Sequence, residues 1–100
     1  MTKLYIHAQT LIDGISDAPK QDQLITIEDD KIIQIEDYHE VKENVIHENV
    51  VTPGFFNCHV HIMYPVGFGA NKEFILMEKA FYAQKHCKEY LESGVTFIRV

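Results

Sequence analysis

Apolar and polar residues alternate over the first fifty positions, and the spacing turns helical later in the chain. Leu4 and Ile6 alternate with Lys3, Tyr5 and His7, the period-two pattern of a half-buried strand. Isoleucine-rich runs over 24–28 and 31–36 flank Asp29-Asp30, which predicts a hairpin closed by a two-residue turn. A type I′ turn needs positive φ at its second position, so Asp30 is expected to adopt it, at some cost. Asp13-Gly14 and residues 16–23 predict a loop between the first strand and the hairpin. Val45-Ile46 and Val50-Val51 predict another short strand, or an extended pass, before Thr52-Pro53-Gly54.

After Pro53 the pattern changes. Residues 55–61 predict a strand with Phe56, Cys58, Val60 and then Ile62 on one face, and Phe55, Asn57, His59 and His61 on the other. In a parallel barrel the first face would pack on helices and the second would point inward. The phenylalanine would then lie low in the barrel and the polar side chains near its C-terminal mouth, where such barrels carry their active sites. Residues 63–71 hold Pro65, Gly67 and Gly69 and predict a loop. Asn71 is the expected N-cap of a helix over about residues 72–93. Leu76, Ala80, Ala83, Cys87 and Leu91, with Met77 beside them, form its expected apolar stripe. The lysines and glutamates of this segment lie mostly off the stripe and predict a solvated face. Gly94 suits the position just past the helix, and residues 95–100 predict a second strand. Strand, helix and strand make a βαβ unit with a right-handed crossover.

Such a unit alone has two open edges and an uncovered inner face. A complete (β/α)₈ barrel needs about 250 residues, whereas this chain has 100. The chain therefore reads as the N-terminal piece of something longer; the plainer alternative is a complete α+β domain. Apolar residues make up 46% and charged residues 24% of the chain, the balance of a folded protein. A net charge of -6 argues against nucleic-acid partners and against docking on anionic membranes. The N-terminus lacks the apolar core of a signal peptide, and no apolar run would span a bilayer, so a cytoplasmic location is expected. Cys58 and Cys87 are unclustered and expected to be ordinary buried thiols, not a disulfide framework.

The candidate chemistry lies at His59-x-His61. Two imidazoles two residues apart on a strand share a face and can converge on one metal ion. Asn57 reads as a hydrogen-bonder supporting them, and Tyr64 and Phe68 as packing or substrate-contact candidates in the following loop. Arg99 is either structural or directed to the mouth of the site. His7, His39, His47 and His86 have no partner spacing and are expected at the surface.

The segment Val51-Thr-Pro-Gly-Phe-Phe-Asn-Cys-His-Val-His61 resembles the first metal-binding segment of the amidohydrolase superfamily. Asp29-Asp30-Lys31-Ile32 is similar to that family's Asp-Gly-Lys/Arg-Ile turn, and Ser93-Gly-Val-Thr-Phe-Ile-Arg99 to its Gly-Val-Thr-Thr-Val-Arg stretch. Asn57-Cys58 resembles deaminase-type members; residues 94–99 resemble imidazolonepropionase-like and dipeptidase-type members. Two positions depart from the pattern: Asp30 replaces the turn glycine, and Val100 stands where many relatives have aspartate.

The resemblance implies an α/β chain with part of a β-sandwich over 1–52 and the start of a metal-dependent hydrolase TIM barrel over 53–100. It implies that His59 and His61 bind a divalent metal, zinc by preference, with one or two ions in the full-length enzyme. The remaining ligands and the general base would lie beyond residue 100. The expected function is hydrolysis of C–N bonds in a small-molecule substrate by metal-activated water, with this piece inactive alone. The alternative is a non-catalytic metal-binding or interaction module. In either case the open strand edges predict self-association or a homo-oligomer.

Overall fold

The structure, a computed structural model, describes residues 2–63 and 75–100. The chain divides into two compact units, residues 1–53 and 54–100. The first is a four-stranded sheet built from β1 (Lys3–Leu11), β2 (Lys20–Glu28), β3 (Lys31–Asp37) and β4 (Val45–Val51). The second contains β5 (Phe55–Asn57), α1 (Leu76–Glu92) and β6 (Val95–Ile98).

In the first unit the strand order is β3-β2-β1-β4. β1 pairs antiparallel with β2, and β2 with β3, while β4 returns to lie parallel to β1 on its free edge. Ala8, Leu11 and Ile25 form the buried centre, with Ile6, Ile27 and Val51 packed around it. β2, paired along both edges, is buried over Gln23–Thr26.

The expected loop over 16–23 is too long at its C-terminal end, because β2 already starts at Lys20. Its polar start pairs with β1: Lys20 lies opposite Leu11 and Gln21 opposite Thr10. Buried Gln23 is satisfied by donating to the Gln21 carbonyl at 3.1 Å and to Asp37 Oδ1 at 2.9 Å. Cross-strand pairing thus overrides the weak strand propensity of these side chains. The β2–β3 hairpin is present, with Glu28 opposite Lys31. The positive φ falls at Asp29 (55°), the first turn residue, and not at Asp30. Asp29 is held there from outside the hairpin: its N–H donates to the Thr2 carbonyl at 2.8 Å, and its Oδ1 accepts the Thr2 N–H at 3.1 Å.

In the second unit β5 and β6 run parallel, with α1 between them in sequence. Gly94, at φ +91°, ends the helix as expected, and its carbonyl accepts the Phe55 N–H at 2.9 Å. α1 starts at Leu76, after an extended Ile75; the expected start near residue 72 lies outside the described residues. The expected loop and the Asn71 cap lie outside the described residues. The packed side of α1 shares only Ala83 and Cys87 with the expected stripe. Tyr82, Ala83, His86, Cys87 and Tyr90 are buried or half-buried, whereas Leu76, Met77, Ala80, Phe81 and Leu91 are exposed. Apolarity alone does not choose the buried side here: that side carries His86, which bonds the Ile62 carbonyl at 2.7 Å.

Candidate metal centre

The strand expected over 55–61 ends at Asn57. Asn57 causes this locally. Its Oδ1 accepts the N–H of His59 at 3.2 Å, an Asx turn that diverts the chain from the ladder. The backbone then rejoins β6 by a different route. Arg99 donates its N–H to the Asn57 carbonyl at 2.9 Å, and its own carbonyl accepts the Val60 N–H at 3.1 Å. The Val60 side chain is buried, so it anchors the short segment between the two histidines. Cys58, expected to be buried in the strand, is exposed because the turn carries it off the sheet.

His59 and His61 therefore do not share the face of a regular strand. Their rings nevertheless come together, with centroids 5.1 Å apart and planes at 87°. Two imidazoles bound to one tetrahedral metal at about 2.0–2.1 Å would place their centroids roughly 5.2 Å apart. The pair fits that spacing, and both side chains are exposed to an incoming ion. Among the described residues no group of three or more histidine, cysteine, aspartate or glutamate side chains converges on such a position. Two such ligands would fill half of a tetrahedral shell.

Asn57, partly buried, acts on the pair through the His59 backbone. Arg99 is exposed and contributes its backbone on both sides of the turn. Tyr64 and Phe68 lie outside the described residues. His86, expected at the surface, is a correction. It is buried in α1, and its Nδ1 donates to the Ile62 carbonyl at 2.7 Å. Tyr82 stacks near its ring with centroids 6.0 Å apart. The one available signal was its place one turn after Tyr82, off the apolar stripe.

The other histidines expected to be unpartnered are also engaged. His7 and His47 lie opposite each other on β1 and β4, with their Nδ1 atoms 3.0 Å apart. His7 Nε2 is 3.0 Å from Asp22 Oδ1, and its ring stacks on Tyr38 at 4.0 Å. With His7 donating from Nε2 to the carboxylate, its Nδ1 accepts and His47 Nδ1 donates. His39 bonds Glu36 at 3.1 Å and the Glu40 carbonyl at 3.2 Å; these two contacts, in that order, raise its pKa from the ordinary histidine value. The His7 and His47 partnerships depend on which strands pair, whereas those of His39 are with sequence neighbours.

No family model matches the chain, and no curated protein matches it. Solved structures do. A Xaa-Pro dipeptidase crystallised with methionine in its active site superposes with a TM-score of 0.83 at 29% identity, over 97% of this chain and 26% of its own. The ochratoxinase of A. niger gives a TM-score of 0.76 at 19% identity, over 96% of this chain and 24% of its own. The chain thus spans about a quarter of the length of the structures it matches. Both are hydrolases of the amidohydrolase superfamily, the group to which the Pro-Gly…His-x-His segment bears its resemblance. Among the described residues no helix is long and apolar enough to cross a membrane.

Proposed function

We propose that this chain is the first part of a metal-dependent amidohydrolase that cleaves C–N bonds, amide or peptide, in a small-molecule substrate. The observation that carries the reading is the His59–His61 ring pair, spaced as ligands of one ion and held by backbone contacts on both sides. In the full enzyme the β5–α1–β6 unit begins a (β/α)₈ barrel, and the four-stranded sheet forms part of a β-sandwich. We place the enzyme in the cytoplasm and favour zinc, as one or two ions.

His59 and His61 would hold the ion as neutral donors, leaving its positive charge intact. When bound, such an ion lowers the pKa of a coordinated water toward neutrality and polarises the scissile carbonyl. Asn57 fixes the turn that presents His59. Arg99 ties both ends of that turn to β6 through its backbone. Val60, buried between the ligands, keeps them on the exposed side. The general base and remaining ligands belong to later parts of the enzyme.

The test is a Zn²⁺ or Co²⁺ titration of the chain. With two ligands only, binding should be weak, and it should disappear in His59→Ala and in His61→Ala. Affinity unchanged in both variants would remove the assignment.

A second reading, a self-associating module, is favoured by the outermost strand β3, where Ile32, Ile33 and Ile35 are exposed. Sedimentation velocity separates the two: concentration-dependent dimers without His59-dependent metal binding would support the module.

A further inference from the structure

We infer that His86 is a positioning residue for the His59–His61 pair, acting through the backbone of Ile62; this rests on the metal-binding reading above. The segment from Cys58 to Met63 lies outside any regular element, so the strand ladder alone does not set the direction of its side chains. Its N-terminal end is fixed by the Asn57 side chain and its middle by the Arg99 carbonyl. Its C-terminal end, next to His61, is held by the Nδ1–H of His86 at 2.7 Å.

His86 is suited to this task. A donor to a carbonyl must carry its proton on Nδ1, so the contact also selects one tautomer. The imidazole is buried, 7% exposed, where an unpaired polar group would be costly and the hydrogen bond is correspondingly directional. It comes from α1, twenty-four residues along the chain, and so couples the ligand segment to the rigid helix. Tyr82, one turn earlier on the same helix, sets its ring at 22° to the imidazole plane with centroids 6.0 Å apart. Supporting contacts of this kind typically change metal affinity about 10–100-fold when removed.

The experiment compares His86→Asn, which keeps a donor near the Nδ1 position, with His86→Phe, which keeps a ring without the donor. The metal-free readout is the nuclear Overhauser contact between the His59 and His61 rings; the second is Zn²⁺ affinity. The expected result is an intact ring contact and near-native affinity in His86→Asn, with loss of the contact and affinity weakened at least about tenfold in His86→Phe. Native behaviour in a folded His86→Phe overturns the inference, and so does equal loss in both variants, which marks simple packing. Should His86→Phe not fold, long-range ¹H–¹⁵N correlation in the unmodified chain still decides: a proton on Nδ1 supports the role, and one on Nε2 overturns it. Zinc affinity that survives His59→Ala sinks the metal-binding reading, while the ring contact reports on His86 independently.

Discussion

Gly54 lies so close to Thr96 that a β-carbon on the glycine would overlap the threonine's Oγ1, Cγ2 and Cβ. The glycine of the Thr-Pro-Gly segment is therefore required for space where β5 begins beside β6. Gly54→Ala should destabilise the second unit by about 1–3 kcal/mol, the usual range for overpacking. Thermal unfolding of the single and double variants checks this. Adding Thr96→Gly should restore more stability than adding Thr96→Ala, because the threonine Cβ itself lies within the overlap.

Gly94 needs its lack of a side chain for a different reason. At φ +91° it ends α1 and turns the chain into β6, and its surroundings leave ordinary room for a β-carbon beside Phe55. Gly94→Ala should cost about 1 kcal/mol through backbone strain, without a steric clash. A lowered melting temperature that no Phe55 truncation relieves would separate strain from crowding.

Asp13 should remain ionised in acid. Its carboxylate accepts the backbone N–H groups of Ser16 at 2.8 Å and Ile15 at 2.9 Å, then the Ser16 hydroxyl at 2.8 Å, and Lys20 is 3.5 Å away. The Ser16 and Ile15 backbone donors chiefly hold its pKa well below the usual carboxylate range. A depressed folded pKa means that the contribution is present above the ordinary aspartate value and is lost as pH falls through the lowered one. Carbon NMR of the Asp13 carboxyl at about pH 3 should show the ionised form. Asp13→Asn should remove this component of acid sensitivity.

His39 has the opposite sign. Its hydrogen bond to Glu36, then that to the Glu40 carbonyl, raises its pKa. The associated stability is complete below the unfolded histidine value and is lost as pH rises through the higher folded one. Glu36→Gln should move the His39 titration, followed by its ring proton shifts, back toward lower pH. An unmoved curve would remove Glu36 as the cause.

The His7–His47 contact joins β1 to the edge strand β4. His47→Ala should loosen β4 by about 1 kcal/mol, the net value of one such hydrogen bond. Faster amide exchange over 45–51 than over β2 would show the effect, and uniform exchange across the sheet would count against it.

Local pattern by itself determined much of this protein. Alternation located the strands around Ile6, Ile25 and Ile35, the Asp-Asp pair placed a hairpin, and Gly94 marked the end of a helix. The His-x-His segment was legible as a candidate ligand pair because residue type and spacing are local properties. Tertiary structure decided what depends on distant partners. Pairing with β1 made a strand of Lys20–Gln23 and brought His47 to His7. Contact with Thr2 moved the positive φ of the hairpin to Asp29. The fold buried the side of α1 that carries His86, bonded to Ile62, over the more apolar one, and the Arg99 backbone tied the turn that keeps the His59 and His61 rings 5.1 Å apart to β6. The reason is common to all four. A hydrogen-bonding group is satisfied by whichever partner the fold brings within about 3 Å, and hydropathy along the chain does not name that partner.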